Sequence, residues 1–297
     1  LPRASLSGEL DHHRAREIMA ELERHIEMGL PRRLTLDLSR RSAALRHRGV
    51  IPTLAILRVG SSPGDLAYEK SAAARCARCG IEVRRLFWDS AAPLAEAIRA
   101  VNADPSIHGC LLLRPLADRA AEAAAGQLLL PDKDVDGMTP GSLAGLLTGQ
   151  SGFAPCTAQA CLELLDYYEV PLAGRRAVVV GRSLVVGQPA ALLLQRRNAT
   201  VTVCHTGTRD IPALCREADV LIAAAGRPGL ITADCLRPGQ TVLDVGVHPG
   251  PDGTLCGDVA AEAAALDVAL TPVPGGVGSV TSAVLCKHTV QAAEKTL

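Results

Sequence analysis

Apolar residues are spaced along the chain in two alternating ways, one typical of helices and the other typical of buried strands. A repeat of about 3.6 residues marks an amphipathic helix, whereas a short apolar run bounded by Gly or Pro marks a strand. Helices are predicted over 17–27, 36–47, 93–102, 118–128, 159–168, 189–197 and 281–295, together with one that ends near residue 80. Strands are predicted over 53–59, 81–87, 109–113, 177–180, 200–204, 220–225, 241–245 and 268–271.

The order of these elements predicts an α/β fold with two domains. Strands that alternate with helices form mainly parallel sheets, whose two faces are both covered. The chain of 297 residues is longer than a usual single domain. We predict an N-terminal α/β domain at 1–158 and a C-terminal Rossmann-type dinucleotide-binding domain at 159–283. The last segment, 284–297, is expected to pack back on the first domain.

Composition removes several classes of function. The formal net charge is zero, and no basic run is long enough to bind nucleic acid. No apolar stretch reaches the roughly 18 residues that a membrane span needs. Ten scattered cysteines and the lack of an apolar signal core favour a reducing cytoplasm. Cys76 and Cys79 form a C-x-x-C without a second ligand pair, so we interpret them as structural and expect no metal.

A strand-to-helix turn at 178–187 is a candidate dinucleotide site. Gly181 follows a buried-type strand and Gly187 opens the next helix, so backbone could approach a pyrophosphate at the helix N-terminus. An ordinary strand-to-helix turn is the alternative, because this glycine spacing is degenerate. The ribose-binding acid expected after the next strand is missing. Arg182 and Thr206 favour the 2′-phosphate of NADP over NAD, unless Arg182 is only a surface residue.

Five segments in order resemble the methylenetetrahydrofolate dehydrogenase/cyclohydrolase family. They are KDVDG at 133–137, PCT at 155–157, VGRS at 180–183 with Gly187, TVTVCH at 200–205 and PVPGGVG at 272–278. The resemblance extends over nearly the whole chain from about Pro52. It implies an enzyme of one-carbon metabolism that binds tetrahydrofolate derivatives between two domains, binds NAD(P) on the second domain and forms a homodimer.

The resemblance also implies roles for individual residues. Tyr68 would stack against the folate, and Asp136 would hydrogen-bond the pterin. A loop beside the nicotinamide and the substrate would be formed by Pro272, Pro274, Gly275, Gly276 and Val277. The dinucleotide would be held by Gly181, Arg182, Ser183 and Thr206, with backbone contact from Val247. A core aromatic at 68, a solvated turn aspartate at 136 and a plain Pro-Gly turn at 272–276 are the alternatives.

Two positions depart from the family pattern. The family lysine that follows the tyrosine by four residues is Ala72 here, and the family glutamine that precedes the Pro-Leu pair is Leu113. Lys70 lies two residues from Tyr68, about 200° around a helix, so it is a poor substitute. Strand alternation would turn Arg114 to the opposite face from Leu113, so we do not expect it to take over either.

These departures separate three hypotheses. We predict that 5,10-methylenetetrahydrofolate is oxidised with hydride transfer to NADP, because this step needs mainly alignment. Cyclohydrolase activity is predicted to be weak or lost, because opening the methenyl bridge needs an acid/base group. The first alternative is a fully bifunctional enzyme in which Lys70 substitutes for the lysine. The second is a non-catalytic regulator that binds folate or nucleotide.

Overall fold

The computed structural model describes residues 29–150, 152–250 and 253–297. The helix predicted over 17–27 lies outside these ranges. Within them, no helix is both long and apolar enough to cross a lipid bilayer. Nor do the described His, Cys, Asp and Glu side chains form a group of three or more that is arranged to hold a metal ion.

A three-stranded parallel sheet forms the first half of the chain, in the order β2-β1-β3. Its strands are β1 (Thr53–Val59), β2 (Glu82–Trp88) and β3 (Gly109–Leu112), and its helices are α1 (Leu30–His47), α2 (Pro63–Arg78), α3 (Leu94–Ala103) and α4 (Arg119–Leu128). Strand β1 is buried along nearly its whole length because helices pack on both faces of the sheet. Edge strand β2 has no residue that is fully buried.

Three more helices follow before and within the second sheet. Helices α5 (Pro140–Thr148) and α6 (Cys156–Tyr167) precede that sheet in the chain, and α7 (Gly187–Arg196) connects two of its strands. A fourth, short helix, α8 (Ile211–Arg216), connects two later strands. The second sheet contains β4 (Arg176–Val180), β5 (Thr200–Cys204), β6 (Val220–Ala223), β7 (Thr241–Asp244) and β10 (Ala269–Leu270). All its pairs are parallel, in the order β10-β7-β6-β4-β5. A small antiparallel hairpin joins β8 (His248–Pro249) to β9 (Leu255–Cys256).

The last helix, α9 (Val277–Glu294), belongs to the core of both halves. It packs against α6 and also against α1 and α2 of the first half. At its end, Glu294 accepts two hydrogen bonds from the Arg41 guanidinium of α1, at 2.8 and 2.7 Å. A single hydrophobic cluster therefore runs from α1 through α9 to the sheet of the second half.

The predicted α/β class with parallel sheets is confirmed, and several element bounds differ. Helix α7 begins two residues earlier than predicted, at Gly187, and α9 begins four residues earlier, at Val277. Strand β10 covers only Ala269–Leu270 of the predicted 268–271. Helices α5 and α8 and the β8–β9 hairpin were not predicted, because their apolar patterns are too short or too rich in Gly and Pro to show a period.

Candidate functional site

Helix α2 carries the tyrosine of the predicted folate site. It starts with Ser62, whose hydroxyl accepts the Asp65 N–H at 3.1 Å, followed by Pro63 in the first turn. Tyr68 is 40% exposed, so its ring is available at the surface of the helix. Ala72, one turn further on, is 1% exposed and packs in the core. Lys70 is exposed, as expected from its turn around the helix.

The second departing position, Leu113, is buried as well. It directly follows β3, where its N–H donates to the Leu57 carbonyl at 2.9 Å. Its side chain is 5% exposed and belongs to the same hydrophobic cluster as Ala72. Neither residue at the two departing positions can therefore accept or donate a proton.

The turn at 133–137 is fixed by the side chains of the two residues at its start, Lys133 and Asp134. Lys133 donates from Nζ to the carbonyls of Val101 and Asp104, both at 2.6 Å. Buried Asp134 accepts the backbone N–H groups of Met138 and Thr139 at 3.1 and 2.7 Å. These bonds hold the backbone on both sides of Asp136.

Gly137 is required by both its conformation and its surroundings. Its φ is +69°, and an added Cβ would lie 2.5 Å from the Ala154 carbonyl carbon. The next segment then returns to the turn, since Cys156 N–H donates to the Asp136 carbonyl at 3.3 Å. The Asp136 side chain is left 22% exposed and faces the space beside Arg114.

Electrostatics set the ionisation of this group. Burial raises the pKa of Asp136 to about 6, while Arg114 opposes the rise and the Asp134 charge adds to it. Burial, and next the Asp136 charge, raise the pKa of Tyr68 above its usual value, so its phenol stays neutral. Tyr68 and Asp136 therefore lie within electrostatic range of each other, as one folate site requires.

Arg114 corrects the expectation drawn from strand alternation. Its Nη2 lies 3.5 Å from Asp136 Oδ2, on the side of the candidate site. The regular strand ends at Leu112, so the alternation of side chains does not extend to residue 114. The sequence analysis extended strand alternation to Arg114, which lies outside both the predicted strand at 109–113 and the observed one, and therefore did not expect this contact.

His288 of α9 contacts the backbone of the same turn, at Val135. Its Nδ1 lies 2.9 Å from the Val135 carbonyl, and the Cys156 thiol donates to that carbonyl at 3.2 Å. The imidazole stacks on Phe153 with 4.8 Å between ring centroids. Burial lowers the pKa of His288 to about 4, so it remains neutral at physiological pH.

The candidate coenzyme site lies where β4 meets α7. Gly181 has a φ of +131°, and a Cβ there would collide with the Ala224 carbonyl oxygen of the neighbouring strand end. A Cβ on Gly187 would collide with the Gly181 carbonyl, so these two glycines let the turn close tightly. Ser183 Oγ accepts the N–H groups of Val186 and Gly187 at 3.1 and 3.4 Å. The turn is therefore preorganised at a helix N-terminus.

A cavity of about 310 Å³ opens at the end of β4, lined among others by Gly181, Arg182, His205, Thr206 and Arg227. Arg182, Thr206 and Arg227 are exposed, so they can contact a bound molecule. Strand β4 lies between β5 and β6, which is the switch point where parallel α/β sheets bind nucleotides. Two guanidinium groups beside a glycine turn fit a phosphate-rich dinucleotide.

Two buried aspartates, which the sequence analysis did not single out, hold the segment 225–227 that lines this cavity. Asp258 accepts the N–H groups of Ala225, Gly226 and Arg227 at 2.6, 2.9 and 2.9 Å, and lies 2.8 Å from His248 Nε2. Asp244, at the end of β7, accepts the N–H of Asp258 at 2.9 Å. The signal available in the sequence was an aspartate that ends an apolar strand.

The loop at 272–276 leads from β10 into α9. Gly275 has a φ of +95°, and a Cβ on Gly276 would collide with the Pro272 carbonyl oxygen. Ser279 Oγ donates to the Gly275 and Gly276 carbonyls at 2.9 and 2.7 Å. Pro274 and Val247 are exposed, whereas Pro272 and Val277 are buried. The loop is thus anchored at both ends, with Pro274 at its surface.

The fold and these two sites define a two-domain α/β protein with a Rossmann-type nucleotide-binding half. Residues 18–136 match the family described as tetrahydrofolate dehydrogenase/cyclohydrolase, catalytic domain, and residues 155–297 match its NAD(P)-binding domain. The chain therefore belongs to the tetrahydrofolate dehydrogenase/cyclohydrolase family. The resemblance drawn from the five segments, the one-carbon folate metabolism and the NAD(P)-binding domain are confirmed.

Individual relatives agree with this assignment. The Bifunctional protein FolD of Carboxydothermus hydrogenoformans is 46% identical over 265 residues, which cover 87% of this chain and 92% of that protein. The crystal structure of the bifunctional FolD enzyme from Campylobacter jejuni has a TM-score of 0.87 at 36% identity, covering 91% of this chain and 98% of that one. The Trypanosoma brucei enzyme complexed with NADP cofactor and inhibitor has a TM-score of 0.83 at 31% identity, covering 90% and 95%.

Proposed function

We propose that this protein oxidises 5,10-methylenetetrahydrofolate to 5,10-methenyltetrahydrofolate with NADP, and that its cyclohydrolase activity is weak or absent. The observation that carries the proposal is the burial of Ala72 and Leu113 in one apolar cluster, at the two positions where the family has a lysine and a glutamine. The dehydrogenase half of the site keeps its turn glycines, Arg182 and the anchored loop at 272–276.

The two reactions make different demands on this site. Oxidation moves a hydride, with its electron pair, from the methylene carbon to the nicotinamide and leaves the methenyl cation. This chain contributes alignment to that step through Tyr68, Asp136 and the loop at 272–276. Hydrolysis adds water to the cation and removes a proton, which calls for general acid/base catalysis. Ala72 and Leu113 offer no group for it.

NADP is proposed over NAD because of the charges around the cavity at the end of β4. Arg182 and Arg227 line this cavity with Thr206. A guanidinium and a hydroxyl suit the 2′-phosphate, whereas an acidic residue there would suit the 2′-hydroxyl of NAD. Among the described residues that line this cavity, none is acidic.

The alternative in which Lys70 replaces the lysine has little support, because Lys70 is exposed on a face of α2 other than that of buried Ala72. The non-catalytic alternative would use the turn at Gly181 and Asp136 for binding alone, so only an assay of hydride transfer separates it from the enzyme. Asp136, whose pKa is raised to about 6 by burial, is a group near Tyr68 that can exchange a proton close to neutral pH. Any residual hydrolysis is therefore expected to change its rate near pH 6.

The proposal is tested by measuring both reactions on the same preparation. We expect NADP-dependent oxidation of methylenetetrahydrofolate, with hydrolysis of methenyltetrahydrofolate about 100- to 10,000-fold slower than in a bifunctional relative. Restoring the pair with Ala72→Lys and Leu113→Gln should raise hydrolysis, and the control Lys70→Ala should change neither rate. A wild-type hydrolysis rate equal to that of a bifunctional relative would refute the split, and failure to oxidise with NADP or NAD would refute the enzyme.

The resemblance also motivates two proposals on organisation. We propose a homodimer, to be tested by light scattering during size-exclusion chromatography, where a mass of one chain would contradict it. We further propose domain boundaries at 1–158 and 159–283. Because residues 158 and 159 both lie within α6, limited proteolysis that cuts in the exposed residues before this helix, at 147–150, before it cuts within either sheet would support this division.

A further inference from the structure

The guanidinium of Arg114 is mostly buried but makes few hydrogen bonds with the described residues. Within the described ranges its contact is a long one, 3.5 Å from Nη2 to Asp136 Oδ2. Its Nε is buried and has no acceptor among the described residues. The side chain is 22% exposed, so part of the group can still be reached from outside.

Other arginines of the chain differ in this respect. Arg58, which is also mostly buried, donates from Nε to Glu69 at 2.8 Å. Arg41 donates from two nitrogens to Glu294 at 2.8 and 2.7 Å. Because a mostly buried guanidinium with so few acceptors is costly, its exposed part in a candidate binding site points to an acceptor supplied by the ligand.

Arg114 and Asp136 together present a donor beside an acceptor. A carboxylate accepts N–H bonds, and a guanidinium donates to a carbonyl oxygen without ever losing its proton. The complementary ligand edge is a ring N–H next to a ring C=O. A pterin has this edge at N3–H and C4=O.

We infer that Arg114 is a substrate-binding and specificity-determining residue, which donates to the pterin O4 while Asp136 accepts the neighbouring N3–H. The inference rests on the proposed function, since it assigns the group that reads the pterin of that substrate.

A purely structural role for Arg114 would be different. Arg114 also opposes the rise of the Asp136 pKa, so it could act only by keeping that carboxylate charged and in place. Removal of Arg114 would then weaken every ligand that Asp136 binds, whatever atom the ligand carries at position 4. The two roles are separated by ligands that differ only at that atom.

The experiment compares tetrahydrofolate with its 4-thio counterpart, in which sulfur, a weaker acceptor, replaces the oxygen while N3 keeps its hydrogen. Calorimetric Kd values are measured for wild type, Arg114→Met and the exposed control Arg99→Met. Arg114→Met should weaken tetrahydrofolate binding about tenfold to hundredfold and change the binding of the 4-thio ligand much less. Arg114→Gln, which keeps a neutral donor, should retain part of the preference, and it serves if the Met variant fails to fold.

Two outcomes would overturn the inference. An equal loss for both ligands would assign Arg114 to the support of Asp136, and no change for either would remove it from the site. Failure of the proposed function would look different, because wild-type protein would then neither bind tetrahydrofolate nor oxidise the methylene form. A preference that is unchanged in Arg99→Met and lost in Arg114→Met supports the inference.

Discussion

Asp258 is predicted to hold the wall of the coenzyme cavity, and Asp258→Asn tests this with little change in shape. The carboxylate accepts the Ala225 and Gly226 N–H groups on Oδ2, and the Arg227 N–H on Oδ1. An asparagine can direct its oxygen to the first two donors only. Its NH₂ group then faces the part-buried Arg227 N–H, which loses its acceptor, and His248 Nε2, which can accept from the NH₂ group in its other tautomer.

The loss of one hydrogen-bond acceptor sets the expected loss of stability in Asp258→Asn. One unsatisfied buried N–H costs about 1–3 kcal/mol, which lowers the Tm of a chain of this size by about 2–12 °C. Because the loop at 225–227 lines the cavity, we also expect the Kd for NADP to rise about tenfold, as residues that must be ordered on binding cost about 1–2 kcal/mol each.

Thermal unfolding and calorimetric titration with NADP measure the two effects. Asp234→Asn is the matched control, because Asp234 is an exposed aspartate of the same half. If Asp258→Asn kept the Tm and the Kd of this control, the three hydrogen bonds would not be holding the loop, and the reasoning would be refuted.

Two further predictions concern the turn and the buried histidine. Gly181→Ala should weaken NADP binding and lower the free energy of unfolding by about 2–6 kcal/mol, the sum of a strained φ and an overpacked Cβ. The control Gly174→Ala, at a φ of +73° with open space around the added Cβ, should lower it by only about 1 kcal/mol. Equal losses for the two variants would contradict this prediction. The pKa of His288 is lowered to about 4 when folded and is about 6.5 when unfolded, so unfolding takes up a proton and stability falls as pH drops from 6.5 towards 4. Between pH 7.5 and 4.5, urea unfolding of wild type should lose about 2–3 kcal/mol more than that of His288→Asn, and an equal loss would show that His288 does not titrate this way.

The sequence predicted the elements that carry a clear period, and it failed where local contacts decide the structure. Strand β5 was predicted at its observed bounds, because Thr200–Cys204 is a compact β-branched run after Asn198. Helix α5 was missed although Thr139 caps it and Pro140 opens it, since Gly141 and Gly145 weaken its apolar pattern. Capping residues would have been the better guide there.

The candidate sites show the same division. Asp136 and Gly181 could be located because they lie in short segments that resemble a family. Arg114 could not, because it lies beyond the end of β3, where the alternation of strand side chains no longer predicts a direction. Asp258 could not either, since its partners at 225–227 are more than thirty residues away in the chain.

Helix α9 has a consequence for how this protein can be divided. Its residues fill a core that includes α1 and α2, and His288 supports the turn that holds Asp136. A fragment that ends at residue 168, after α6, would therefore contain the first sheet and the candidate folate side chains but would expose an apolar groove in place of α9. We expect such a fragment to aggregate alone and to become monodisperse when a peptide of residues 277–297 is added. The two halves therefore follow one another in the sequence, but the first half needs the last helix of the chain to complete its core.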